Sequence, residues 1–422
     1  MAEAHTHHHD HAHEEAKGIR NTAQFILTGL SGGHAVFHWF SQSFFVMLPE
    51  VVATFGLSGL QVGAVATTRE MVSGIIALPG GVVTDVLRRH WGSVLTACMA
   101  LFGLGWLIMG IAPFYPILLL GMAIVAAAAS MWHLPATAAL SHRFSHHRAS
   151  ALSLHGVGGN IGDVLGPALT GVLLLTLSWR GILSIYAAVP IFLAFLVFWA
   201  FRDIGHSEND HSGPARFREQ MANTRESFKE HPRLWGIMTV AGLRGMANVA
   251  FLPFLALYLG LDEELGLGNA SLGLHIALLV GVGVFATPVT GYISDRFGRK
   301  LVLIPGLIGL SALTALLIPF GEGIGLIIIL AFLGTFLFSD QPILTAAALD
   351  VVGEKVAAST LGVFSFSRFA LAAASPLIAG QLFDAQGIEA AFLYISGIYL
   401  VATVILLAVP LAPPQRAAAH HH

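Results

Sequence analysis

Five residues that can hold a proton sit inside long apolar stretches: His34, His38, His133, His155 and Asp163. Histidine titrates near neutral pH, so it can take up a proton on one side of a barrier and release it on the other. His34 and His38 are four residues apart and would share one face of a helix. Glu70 is a further proton-coupling candidate. It follows Arg69 directly, so the two cannot share a face, and at least one is expected to meet a partner helix or an interface. A second set suits the binding of a polar or anionic substrate: Arg244, Arg368, Asn160, Asn248, Asp340 and His275. Guanidinium groups hold anions in a fixed fork geometry, which singles out Arg244 and Arg368. Asn248 shares a face with Arg244, and Asn160 lies three before Asp163. A charge near a bilayer centre costs at least about 2.5–3.5 kcal/mol, so such residues default to a functional role. The plainer alternative is a hydrogen bond between helices. A third set lies at the start: His5, His7, His8, His9, His11 and His13, beside Asp10, Glu14 and Glu15. This low-complexity tail could bind Zn²⁺, Ni²⁺ or Cu²⁺. It reads either as a solvated tail or as a metal-capturing arm of a transporter for a divalent metal or metal chelate.

The elements that must position these groups are membrane helices. Hydrophobic residues make up 55% of the 422 residues and charged residues 11%, with a mean hydropathy of +0.75. A soluble domain carries about 25% charged residues, so the main solvent of this chain is lipid. The single Cys98 excludes an internal disulfide framework and a Cys-based zinc site. Residues 1–20 are polar and His-rich, so no cleavable signal peptide is expected. Apolar runs of about 20 residues predict twelve spans, at 23–48, 59–84, 91–111, 114–140, 149–176 and 180–201, then 234–260, 271–294, 301–320, 323–349, 358–383 and 388–411. The expected organisation is a His-rich tail over 1–22, a six-helix bundle over 23–201, a polar linker over 202–233, a second six-helix bundle over 234–411 and a tail over 412–422. The linker has room for a short amphipathic helix around 217–228, and the end, Ala417 to His422, reads as a spacer and tag remnant. With both termini inside, every one of the 21 basic residues except Arg69, Arg180, Arg244 and Arg368 falls on the cytoplasmic side. The positive-inside rule therefore predicts a multi-pass protein of the inner (plasma) membrane with cytoplasmic termini.

The halves repeat in register. Gly81, Asp85 and Arg89 match Gly291, Asp295 and Arg299. Pro135 answers Pro342, and Ser150, Leu152, Pro167 and Gly171 answer Ser359, Leu361, Pro376 and Gly380. The run Gly291-Tyr-Ile-Ser-Asp295-Arg296-Phe-Gly298-Arg299-Lys300 resembles the G-x-x-x-D-R-x-G-R-[KR] loop of the major facilitator superfamily. The first copy, Gly81 to Arg89 with Arg88, keeps the Gly, Asp and Arg pair but has Val86 where Arg is usual. The resemblance implies gating loops in which the Asp caps or pairs at a facing helix. The alternative is a tight basic loop with no gating role. The fifth span, Gly158-x-x-x-Gly162-x-x-x-Gly166-Pro167-x-x-x-Gly171, resembles the family's antiporter motif, or is generic small-residue packing. A narrower resemblance, to the fosmidomycin-resistance type of drug exporter, rests on His34-Ala-Val-Phe-His38, the Leu48-Pro49 helix exit, Phe55-Gly-Leu-Ser58, Trp132-His133-Leu-Pro135 and Gly158-Gly159-Asn160-Ile-Gly162. His38 stands where that resemblance leads one to expect Asp.

These readings imply an all-α integral membrane protein with the major facilitator fold. It would work by alternating access, exporting a small polar or anionic compound or drug against protons. The expected partners are that substrate, protons and the lipid bilayer, with no nucleic acid, and the chain is expected to act as a monomer. No cofactor is expected, because the proton gradient supplies the energy. An enzyme is excluded: no phosphate-binding Gly-Lys-Ser/Thr loop, H-E-x-x-H or nucleophile elbow occurs. A transporter-like sensor would need a larger soluble domain than the linker offers.

Overall fold

The computed structural model describes residues 19–202, 204, 230, 232–352, 369 and 371–411. The His-rich tail, the 217–228 segment, Arg368 and the first part of the eleventh span lie outside the described residues. The first half holds α1 (Ala23–Phe55), α2 (Gly59–Val86), α3 (Trp91–Gly110), α4 (Tyr115–Arg143), α5 (Arg148–Leu173) and α6 (Trp179–Phe201). The second holds α7 (Arg233–Gly260), α8 (Asn269–Phe297), α9 (Arg299–Phe320), α10 (Gly323–Leu337), α11 (Asp340–Val352), α12 (Ser375–Gln386) and α13 (Ile388–Ala408). α10 and α11 run in series and form the tenth span, broken near Phe338.

Eight of the described segments are long and apolar enough to cross a membrane. α1, α2 and α5 fall short of that apolarity because they carry His34, His38, Arg69, Glu70, His155 and Asp163. Each contributes to the wall of the interior cavity described below. The lipid-facing surfaces show the opposite composition, with Phe192, Phe195, Phe285 and Val404 exposed. Pro49 does not end the first helix as expected. α1 continues to Phe55 and closes at Gly56, whose left-handed φ of 60° returns its N–H to the Val52 carbonyl. Membrane helices accept a proline because neighbouring helices and polar side chains satisfy the freed carbonyl.

The glycine stripe of α5 explains how α1 and α5 come together. A Cβ added at Gly158, Gly162 or Gly166 would strike the backbone carbonyls of Ser31, Ala35 and Trp39, one turn apart on α1. The stripe therefore serves packing inside the first half, as small residues do between membrane helices. Only its last member, Gly171, crosses to the second half, against Asn269 and Gly273 of α8.

The two halves are joined on the side away from the Arg-rich loops at 88–89, 143–148 and 296–299. We call these the distal and basic ends. Gly59 and Leu60 donate their backbone N–H groups to the Asp384 carboxylate at 2.6 and 2.8 Å. Asn269 donates to Glu50 at 2.7 Å, and Thr67 donates to the Ala373 carbonyl at 2.6 Å. Among the described residues, these are the hydrogen bonds that link the halves. Asp384 thus caps the start of α2 from across the interface, satisfying two donors that a helix start leaves open. Asp384→Ala is expected to shift the population toward distal opening by about 10- to 100-fold, since hydrogen bonds to a charged group contribute about 1.5–3 kcal/mol. Distance measurements between spin labels on α2 and α12 would register the shift, and an unchanged distribution would remove Asp384 from any latch.

Candidate functional site

Between the halves lies a cavity of about 490 Å³. Its polar wall comes almost wholly from the first half: His38 and Gln42 of α1, Arg69 and Glu70 of α2, His133 of α4 and Asp163 of α5. The second half contributes Asn248 and an apolar surface that includes Leu252, Phe338 and Phe369. A pocket with an apolar lining and a few convergent polar groups is the usual form of a small-molecule site.

The close approach of α5 to α1 lets Asp163 reach His38. His38 Nδ1 lies 2.9 Å from Asp163 Oδ1, with the histidine 32% and the aspartate 13% exposed. With the carboxylate ionised, the imidazole N–H donates. With the carboxylate protonated, the O–H donates instead, so the pair can hold a proton in either arrangement. Behind it, His34 Nδ1 donates to the His155 carbonyl at 2.8 Å. The His34 ring stacks on His155 with centroids 4.2 Å apart, and it meets His38 and His133 edge-on at 4.4 and 4.9 Å. Four histidines expected from sequence are thus one cluster, built from α1, α4 and α5. His155 is buried, while His38 and His133 reach the cavity.

The other expected residues divide differently. Glu70 and Asn248 line the cavity. Arg244 and Asp340 do not. Each is 3% exposed, and they form an ion pair at 2.6 Å inside the second half. Arg244 also donates to the Leu337 carbonyl at 2.5 Å and to Gln341 Oε1 at 3.2 Å. Helical spacing gave Arg244 and Asn248 one face, but the break between α10 and α11 supplies Arg244 with acceptors before the cavity is reached. Asn160 is exposed and lies off the cavity wall. His275 is turned onto its own helix, 2.7 Å from the Ser271 carbonyl, and is also off the wall.

Arg69, which the sequence reading names beside Glu70 without a substrate role, is a further candidate on the cavity wall. Its guanidinium lies 5.7 Å from the centre of the Phe45 ring. Among the described residues no carboxylate is within ion-pair distance of it. Arg69 and Glu70 both border the cavity. Successive helical residues point about 100° apart, and the cavity is wide enough to take both. The usable signal was an arginine in a span with no acidic residue three or four positions away.

In the second half, Asp295, Arg296 and Arg299 pair within that half. Asp295 is joined to Arg299 of the same loop, and Arg299 Nε donates to Asp350 of α11 at 3.0 Å. Among the described residues Asp295 pairs with no facing helix, contrary to expectation. The turn is possible because Gly298 adopts φ 106°, a conformation that favours glycine, and brings Arg299 back over the end of α8. Arg296 donates to Tyr292 at 3.0 Å. In the first copy Gly81 and Asp85 lie in the last turns of α2, Arg88 lies over the Trp91 ring at 5.7 Å, and Arg89 is exposed.

Two helical halves around an interior cavity, with apolar surfaces outside and charges inside, define a membrane transporter. The chain belongs to the Major Facilitator Superfamily, whose profile matches residues 30–376 and 257–421. It is similar to a probable hexose phosphate transport protein of Chlamydia muridarum, at 23% identity over 94% of this chain and 93% of that protein. It is also similar to the fosmidomycin resistance protein of Escherichia coli, at 22% identity over 86% and 87%. Among solved structures it resembles the nucleoside transporter NupG, with a TM-score of 0.72, 13% identity and coverage of 91% and 98%. It likewise resembles an inward-facing, unoccupied bacterial homologue of the human lysosomal transporter Spinster, with a TM-score of 0.73, 15% identity and coverage of 92% and 95%. These structural likenesses concern the fold.

Proposed function

We propose that this chain exports a small anionic compound in exchange for protons, by exposing the interior cavity alternately to the two membrane faces. The observation that carries the reading is Arg69, a guanidinium on the cavity wall without a carboxylate partner among the described residues. It takes the substrate-holding role first given to Arg244. The His38–Asp163 pair on the same cavity holds the exchanged proton, and Glu70 is a second carboxylate within the cavity. The relative named for hexose phosphate, itself an anion, supports the substrate class, and the relative named for fosmidomycin resistance supports export. The basic loops support a cytoplasmic position for that end of the molecule, in a cell with an inner membrane.

Coupling needs a group that must change its proton occupancy before the cavity can turn over. Asp163→Asn keeps a hydrogen-bonding side chain beside His38 but cannot ionise. The variant is expected to bind the anion and to lose accumulation driven by a pH gradient. Normal gradient-driven transport by Asp163→Asn would remove the coupling role.

A further inference from the structure

The histidine cluster has a property that proton handling does not require. His133 Nδ1 and both ring nitrogens of His155 are buried without a hydrogen-bond partner. An unsatisfied buried polar group is costly, and His133 has such a nitrogen open to a ligand beside His34 and His38. The partners that do exist point the same way. His34 gives its Nδ1–H to the His155 carbonyl, and with Asp163 ionised His38 gives its Nδ1–H to the carboxylate. In that state each bond fixes the tautomer and leaves Nε2 as a lone pair. That arrangement, one imidazole nitrogen held by a carbonyl or carboxylate and the other free, is how metal-binding histidines are oriented.

We propose that His34, His38 and His133 form a transition-metal site in the membrane interior, with an open coordination position facing the cavity. One ring nitrogen of each already lies within 4.8 Å of the others. A tetrahedral Zn²⁺ with Zn–N bonds of about 2.0–2.1 Å needs nitrogens about 3.4 Å apart, so the rings must close by at most about 1.4 Å. His38 is a third exposed and has space in the cavity for that movement. Three neutral imidazoles suit Zn²⁺, Co²⁺, Ni²⁺ or Cu²⁺ and are poor ligands for Mg²⁺ or Ca²⁺. Asp163 acts through His38 and is a positioning residue. The open position faces the same cavity as Arg69, so a metal held there can present itself, or a bound chelate, to the transport path.

The inference does not depend on the anion reading. It shares His38 with proton coupling, so equilibrium binding rather than flux is the measurement. The protein is the full chain with the histidines at 5, 7, 8, 9, 11, 13 and 420–422 replaced by alanine, which removes tail binding. Zn²⁺ is titrated in competition with a chromophoric chelator, and Co²⁺ is followed by its visible absorption. The expected result is one metal per chain and an intense Co²⁺ spectrum of tetrahedral type. His38→Ala and His133→Ala should each weaken binding at least tenfold, and Asp163→Asn by about 10- to 100-fold, the usual effect of removing an outer partner. His146→Ala, on an exposed loop, should change nothing. Thermal unfolding of each variant checks that it is folded. Substoichiometric Zn²⁺, or a weak Co²⁺ spectrum of octahedral type, in the background chain overturns the site without recourse to any variant. Equal binding in the folded His38→Ala and His133→Ala proteins overturns it as well. Anion binding measured on the same samples stands or falls separately.

Discussion

Arg244→Ala is expected to destabilise the protein by about 3–5 kcal/mol, the cost of leaving one partner of a buried ion pair alone. Asp340 is 3% exposed and its counter-charge is the Arg244 guanidinium 2.6 Å away. Removing the arginine leaves a carboxylate with no water to solvate it. It also frees the Leu337 carbonyl and the Gln341 side chain, which Arg244 holds at 2.5 and 3.2 Å. Those acceptors sit at the break between α10 and α11, so the damage should spread along the tenth span. Asp340→Ala should be comparably severe, because it strands the guanidinium. The double change Arg244→Met with Asp340→Leu removes both charges and keeps the volume, and it is expected to recover most or all of the loss. Thermal midpoints of the purified protein in detergent give the comparison. Single variants as stable as the parent would show that the pair is solvated and free to meet substrate, as first expected from sequence.

Arg69→Ala is expected to weaken binding of a hexose phosphate or a similar small anion by roughly 10- to 150-fold, with little change in stability. The estimate follows from about 1.5–3 kcal/mol for a hydrogen bond to a charged group in a partly shielded site. Arg69→Lys keeps the charge but loses the planar fork, so affinity should fall between parent and alanine variant. Isothermal calorimetry on the detergent-purified chain reads both. Equal affinity in all three proteins would remove Arg69 from the substrate site. The contrast with Arg244 is the useful part. One arginine should report on folding and the other on binding, although both stand as lone cations in apolar runs.

That contrast also marks how far the sequence could be read. The apolar runs place the helices well, because lipid imposes length and composition on each span. The departures are local. α1 passes through Pro49, and the tenth span is two helices meeting near Phe338. The polar residues were harder. Helical periodicity says which residues share a face, but not what that face meets. Arg244 and His275 were given to the cavity, yet one turns to Asp340 and the other to Ser271. His34, His38, His133, His155 and Asp163 lie together in the structure, but nothing in their spacing joins α1, α4 and α5. The glycine stripe does that. Its register was visible at Gly158, Gly162 and Gly166, while its partner, the carbonyl row of Ser31, Ala35 and Trp39, appears only in three dimensions. Arg69, an intramembrane candidate beside Glu70, has no substrate role in the sequence reading, and the cavity is wide enough to take both side chains.

The most direct test of proton-coupled transport through this cavity is flux in proteoliposomes with an imposed pH gradient. A radiolabelled hexose phosphate is placed on the basic-end side, with a proton excess opposite, and internal pH is followed in the same vesicles. The expected result is gradient-driven movement of the anion, with matching proton movement that appears only when substrate is present and is lost in Asp163→Asn. Anion movement that ignores the pH gradient, or proton movement that needs no substrate, would contradict it.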